Sequence, residues 1–394
     1  MNNNNILKYI SITCAACIMY AVSAGLRSVY GIMLNTISSD TGIAYAAVSF
    51  AIAIGQLIFG IAQPVFGIVA IKKSNKFVLV LGSLFMAVGL IAIPFCKAEW
   101  MLLLFLGIIL PIGTGAISFG MIMGAITPKL GEEKAASASG FVNASSGIGS
   151  IVFSPIIQST FSTVGLTVTM IGISIICLLL IPISVFVSGK NEASSNSAQG
   201  NGQIFTMLKD AFRDRSFIFL MIGFFTCGFH MAIIETHLYS QILSYGISDK
   251  VAALSFSVYG IASIIGSLLS GFLCMKIPMK YVVGTLYGSR VIWVVLFLIL
   301  PKSVFSVMTF CICLGLTGAA TVTPTSGLVG KLFGSANIPT LFGIVFVSHQ
   351  VGSFLSAWLG GKCFEATGNY IVIWIIAAIL SAFAMVASYK IKEK

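Results

Sequence analysis

Charge is what this chain has least of. Its 394 residues include 22 Lys and Arg, 11 Asp and Glu and three His, so charged residues make up 8%, where soluble globular domains carry about 25%. That scarcity excludes an ordinary soluble domain. The chemistry-bearing patterns are missing as well. No GxxxxGK[ST] sequence is present to hold a nucleotide triphosphate, which argues against an ATP-driven pump. No nucleophile–base pair and no cluster of metal-ligand spacing stands out, so neither an enzyme nor a cofactor is expected. His230 and His237 stand seven residues apart, too far for a metal pair without further ligands. Short alternating segments of the β-barrel kind are missing too.

What is present is apolar length. Hydrophobic residues are 58% of the chain, and charge-free runs such as Phe77–Cys96, Val251–Met275 and Ala366–Tyr389 each match the ~20 residues that cross a bilayer as a helix. The run Ala135–Gly189 has 55 residues without a charge and must hold two spans, joined near Ser162–Gly165. Twelve spans result, at about 6–34, 44–70, 77–95, 100–126, 135–160, 165–187, 216–243, 250–275, 281–300, 303–326, 338–362 and 368–389. The predicted fold is therefore an all-α polytopic membrane protein of two six-helix bundles, 1–187 and 216–394, joined by a linker at 188–215.

The charges then sort by side. Sixteen Lys and Arg fall in connectors on the side of Lys8, four (Lys97, Lys250, Lys302, Lys362) on the opposite side, and Arg27 and Arg290 inside spans. The positive-inside rule places both ends of the chain in the cytoplasm, with a bacterial cytoplasmic membrane as the expected location. The same spread accounts for the +11 net charge without a nucleic-acid partner. The nine Cys lie in or near spans and read as packing, Cys14 and Cys17 included. In the linker, Ser194–Gly202 has flexible composition, and Ile204, Met207, Leu208 and Phe212 recur at helical spacing, which predicts a short interfacial helix.

The halves look like weak repeats. At an offset near 204, Gly67, Lys72, Lys76 and Phe77 fall on Gly271, Lys276, Lys280 and Tyr281, and Arg27 falls within one residue of His230. Two such halves around a midplane site are a transporter architecture. Span prolines Pro64, Pro111, Pro155 and Pro324 read as packing or as hinges.

Several motifs now converge. Gly60-Ile-Ala-Gln63-Pro64-Val-Phe-Gly67 followed by Lys72-Lys73-Ser74-Asn75-Lys76 resembles the loop after the second span of the major facilitator superfamily. Cys227-Gly228-Phe229-His230, Leu286-Tyr287-Gly-Ser-Arg290, Pro324-Thr-Ser-Gly327 and Ser348-His349-Gln350-Val-Gly352 are similar to its bacterial monocarboxylate transporter-like branch, over about Tyr9–Tyr389. The resemblance implies alternating access by two rocking bundles, and Lys72, Lys73 and Lys76 as a gate loop. It also departs from the family. The loop's usual Asp is Ile71 and its following Gly is Ser74, and the eighth span lacks the Asp and Arg of animal monocarboxylate transporters.

Ionisable groups at membrane depth are costly and usually face a cavity or a partner. Arg27 shares a helix face with Tyr20, Ser23 and Tyr30, and its guanidinium can grip a carboxylate bidentately. The expected substrate contacts are Arg27, Tyr20, Tyr30, Asn143, His230, Arg290, His349 and Gln350. For Arg290 a structural partner such as helix carbonyls is the competing reading; for Arg27 it is a snorkelling side chain. His230 and Glu235 are proton-site candidates, although Glu235 and His237 also read as a solvated outer end of the seventh span. The reading is a secondary transporter of a small organic anion, expected to be a monomer in the lipid bilayer, with a proton as possible co-substrate. Efflux of hydrophobic compounds and a transport-inactive membrane sensor are the alternatives.

Overall fold

The computed structural model describes residues 3–188, 201–334 and 337–393 and is helical almost throughout, without strands among them. Helix is what a bilayer demands of an apolar chain, because it satisfies the backbone within each segment. Among the described residues, eleven apolar stretches are long enough to cross a membrane. One of them, Ala138–Val187, holds 50 residues and bends at Gly165, whose φ of 76° is left-handed and open to glycine at little cost. Divided there, it supplies two spans, which makes twelve. Leu268, Phe272, Phe305 and Phe383 are exposed, as lipid-facing side chains would be.

The chain separates into two compact units, Met1–Ser195 and Asn196–Lys394. In the first, α1 (Asn3–Ser28) and α2 (Tyr30–Thr41) form one span broken at Val29. α3 (Tyr45–Lys72) carries Pro64, and α4 (Asn75–Ala92) starts on a Ser74 cap that accepts from the Phe77 amide at 3.1 Å. The fourth span is composite: α5 (Glu99–Leu102), a π turn at Leu103–Ile109, α6 (Leu110–Ala116) and α7 (Phe119–Leu130). α8 (Glu132–Val187) packs along α1 and α4.

The second unit opens with α9 (Asn201–Arg213), the predicted linker helix. Its Ala211 is buried and Phe212 meets Phe217 edge-on at 5.5 Å. The linker stretch 189–200, and the side chains of Ile204 and Phe205, lie outside the described residues. α10 (Arg215–Ile233) continues through a π turn, Ile234–Leu238, into α11 (Tyr239–Ser244). α12 (Asp249–Cys274) and α13 (Met279–Ile299) come next. The tenth span is again broken: α14 (Val304–Thr317), a 3-10 turn at Ala319–Thr321 and α15 (Val322–Phe333). α16 (Ile338–Thr367) and α17 (Ile371–Tyr389) complete the unit. Its core gathers Phe217, Phe224, Cys227, Tyr287, Leu328 and Val345.

The internal repeat is visible in hydrogen bonds. Ser23 Oγ donates to the Thr114 carbonyl at 3.3 Å in the first unit, and Cys227 Sγ lies 3.7 Å from the Gly318 carbonyl in the second. Both residues move by the same step, since 227 − 23 and 318 − 114 are each 204. The fourth and tenth spans are also both broken, after Ala116 and after Thr317, within three residues of the 204-residue offset.

Candidate functional site

In the first unit the site grows from the break at Val29, whose φ and ψ of −107° and 12° leave the helix. Arg27 sits just before it and is half-buried. Its Cζ lies 3.7 Å from the centroid of the Phe59 ring, and its Nη2 donates to Gln56 Oε1 at 3.1 Å. Gln56 and Phe59 stand three residues apart on α3, hence on one face. Among the described residues Arg27 has no acidic partner, and its Nε and Nη1 make no hydrogen bond. The group is thus a fixed positive charge, braced by Gln56 and Phe59.

The polar stripe predicted around Arg27 divides. Ser23 is committed to Thr114. Tyr20 is half-buried with its ring 5.8 Å from Phe119, and Tyr30 is buried at the start of α2. Asn143 is exposed on α8. Sequence reading did not single out Gln56 or Phe59. The signal was there: an amide in a charge-free span, with an aromatic one turn on.

The second unit holds the remaining candidates. Arg290 is fully buried and committed to the broken tenth span. Its Nη2 donates to the carbonyls of Thr317 at 2.5 Å and Gly318 at 3.0 Å, and its Nε reaches Thr317 Oγ1 at 3.4 Å. Cys227 Sγ is 3.6 Å away, and the Tyr287 ring lies 5.1 Å from Cζ. A break exposes carbonyls that the helix would have paired, and a guanidinium is a strong donor to supply them. This is the helix-carbonyl partnership that competed with substrate binding for Arg290, and one nitrogen, Nη1, is left without a partner.

His230 is buried on α10, with its ring 5.7 Å from Trp374 and neither nitrogen hydrogen-bonded. Trp374 Nε1 donates to Gln241 Oε1, and Gln241 Nε2 to the Tyr245 hydroxyl, each at 2.7 Å. A polar chain unmarked in the sequence therefore starts beside His230. His237 departs from expectation. Rather than ending in solvent, the span runs on through the π turn, so His237 is fully buried and donates from Nε2 to the Ala357 carbonyl at 2.8 Å. Glu235, in the same turn, is half-buried.

His349 and Gln350 lie where α16 crosses α10. At Gly228 a Cβ would run into the His349 carbonyl, so only glycine permits this approach. Ser348 Oγ donates to the Met221 carbonyl at 3.0 Å, and the His349 ring stacks on Phe346 at 5.3 Å. Gln350 is buried with both amide atoms unpaired. The loop residues Lys72, Lys73 and Lys76 stand at the α3–α4 connection, and all three are exposed.

Comparison with known proteins adds the family context. A family model described as Major Facilitator Superfamily matches residues 16–301 and 242–394. An uncharacterized MFS-type transporter, YcxA of Bacillus subtilis (strain 168), is 24% identical over 367 residues, covering 88% of this chain and 87% of the relative. Monocarboxylate transporter 12 of Xenopus laevis is 24% identical over 336 residues, covering 78% and 71%. Among solved structures, a mutant of the nucleoside transporter NupG superposes with a TM-score of 0.80 at 17% identity, over 96% of this chain and all of that one. The D-xylose-proton symporter gives 0.75 at 13% identity, over 98% and 99%.

Proposed function

Because the chain belongs to the Major Facilitator Superfamily, whose members are transporters rather than enzymes, we propose that it carries a small organic anion, a monocarboxylate, across the cytoplasmic membrane of a bacterium. One observation supports this above the rest. Arg27 is a permanent cation inside an apolar span, without an acidic partner among the described residues and with Nε and Nη1 uncommitted. A carboxylate fits that edge with two parallel charge-assisted hydrogen bonds. Phe59 and Gln56 hold the guanidinium in one pose, so little side-chain entropy is lost on binding. The likeness to a monocarboxylate transporter points the same way.

In this reading the two halves rock about the bound anion, as secondary transporters of this architecture do. Both ends of the chain face the cytoplasm, in accord with the Lys and Arg distribution. Tyr20, Tyr30, Asn143, His349 and Gln350 are further substrate contacts, and Lys72, Lys73 and Lys76 form the gate loop. Movement of the anion is coupled to a proton carried by His230 or Glu235.

Counterflow in proteoliposomes with a panel of labelled carboxylates tests the substrate class. Exchange of at least one carboxylate is expected, and none across the panel would reject it. With that substrate in hand, a protonophore should collapse its accumulation; unchanged accumulation would reject the proton coupling alone.

A further inference from the structure

We infer that the segment after α17, Ile391–Glu393, is a strap that fixes the half-helix α15, and that its release lets α15 pivot about the break at Thr317–Thr321. The inference concerns the second unit alone and does not depend on the substrate.

α15 is a separate piece of helix. Its 12 residues span about 18 Å. Gly318, with φ −58° and ψ −83°, leaves helical geometry ahead of it. Pro324 has no N–H to offer the Ala320 carbonyl four residues back, and Ser270 Oγ on α12 donates to that carbonyl instead, at 2.6 Å. Arg290 on α13 takes the Thr317 and Gly318 carbonyls. The pivot end of α15 is therefore held by side chains of two other helices rather than by helix continuity.

The far end is held by the strap. Lys331, in the last turn of α15, forms an ion pair with Glu393 at 2.8 Å. The same carboxylate accepts from the amides of Met279 at 3.1 Å and Lys280 at 3.0 Å, the first two residues of α13. Those amides have no helical acceptor, and the positive end of the helix dipole favours an anion there. The Glu393 side chain is 4% exposed. Two residues earlier, Ile391 is buried in the core with Ala211 and Phe217, and the Lys392 amide donates to Ser216 Oγ at 3.3 Å. One short segment thus ties α15 to the starts of α10 and α13. A groove of about 490 Å3, lined by Cys274, Pro278, Tyr281 and Lys331 among others, opens beside it, giving a released end room to move.

Hydrogen–deuterium exchange on the full chain in lipid nanodiscs tests the strap with two variants. Glu393→Gln should raise exchange on the order of tenfold across Val322–Phe333 and at Met279 and Lys280, with Val304–Thr317 unchanged. Lys331→Met cuts only the ion pair, so exchange should rise in α15 while Met279 and Lys280 stay protected. Unaltered exchange in α15 for both variants would overturn the inference. A uniform rise across the whole second unit would overturn it too, since that is loss of general stability rather than release of one lever.

Discussion

Replacing Arg27 by alanine should separate binding from folding. In the free protein the guanidinium makes one hydrogen bond to the neutral Gln56 and one cation–π contact with Phe59. Together these contribute about 2–4 kcal/mol. Against them stands the cost of keeping a charge in a span, about 2.5–3.5 kcal/mol. The two nearly cancel, so Arg27→Ala should change unfolding stability by no more than about 1.5 kcal/mol in either direction. Binding carries no such offset. Two charge-assisted hydrogen bonds from Nε and Nη1, at about 1.5–3 kcal/mol each, amount to about 3–6 kcal/mol, or two to four orders of magnitude in affinity. Lysine keeps the charge and loses the fork, so Arg27→Lys should fall between. The assay is carboxylate counterflow alongside thermal unfolding of the same preparation. Near-normal counterflow by Arg27→Ala would refute the anion role. A loss of transport matched by a collapse of stability would refute the separation of the two and return Arg27 to a structural or snorkelling part.

Two further predictions concern the second unit. Arg290→Met removes the donor from two carbonyls and should cost about 1–3 kcal/mol of unfolding stability; adding Cys227→Ser, which restores the hydroxyl donor used at Ser23, should recover part of that in a double-mutant cycle, and strictly additive effects would show that the two groups do not share the Gly318 carbonyl. Burial pushes the Glu393 carboxyl up, but hydrogen bonds from the Lys280 amide, Lys331 and the Met279 amide outweigh it and hold its pKa below the ordinary value. A lowered folded pKa stabilises above the ordinary carboxylate range and loses that contribution as pH falls through the folded value. The difference in unfolding midpoint between wild type and Glu393→Gln should therefore be flat from neutral pH down to about 4.3 and close below it; closure between pH ~6 and ~7 would contradict the pairing.

The twelve spans were legible because bilayer thickness acts on every residue of a span at once, and charge placement marks the connectors. Even the hidden joint near Ser162–Gly165 could be inferred from length, and it falls on Gly165. The breaks within spans were not legible. Gly318 is one of 40 glycines, and what fixes the tenth-span break is a guanidinium and a hydroxyl from α13 and α12, partners remote in sequence. His237 was misplaced for a related reason: a π turn adds a residue to the turn without any composition cue, and shifts the next residues back into the interior. Arg27 stands out in the sequence as a charge within a span, whereas Gln56 and Phe59 carry no charge to mark them. Nothing in the sequence marks Glu393 as the acceptor of three donors.

The two span arginines show why a charge map alone cannot assign function. Position 86, 204 residues before Arg290, is a buried methionine, so the guanidinium in the second unit has no counterpart in the first. The reason lies in the donor each half offers to the same carbonyl. At Thr114 it is the hydroxyl of Ser23; at Gly318 it is the thiol of Cys227, a weak donor. The Thr321 hydroxyl also donates to the Gly318 carbonyl, at 3.3 Å, and Arg290 adds two strong bonds at the break, to Thr317 and Gly318. Its charge is taken up by the protein's own backbone. Arg27 is placed the opposite way: at the neighbouring break the Val29 carbonyl takes the amides of Ile32 and Met33, and the guanidinium meets the Gln56 amide oxygen and the Phe59 ring rather than backbone carbonyls. Of two cations in membrane spans, Arg290 is committed to backbone carbonyls, and Arg27, which is not, is the one on which the proposed anion role rests.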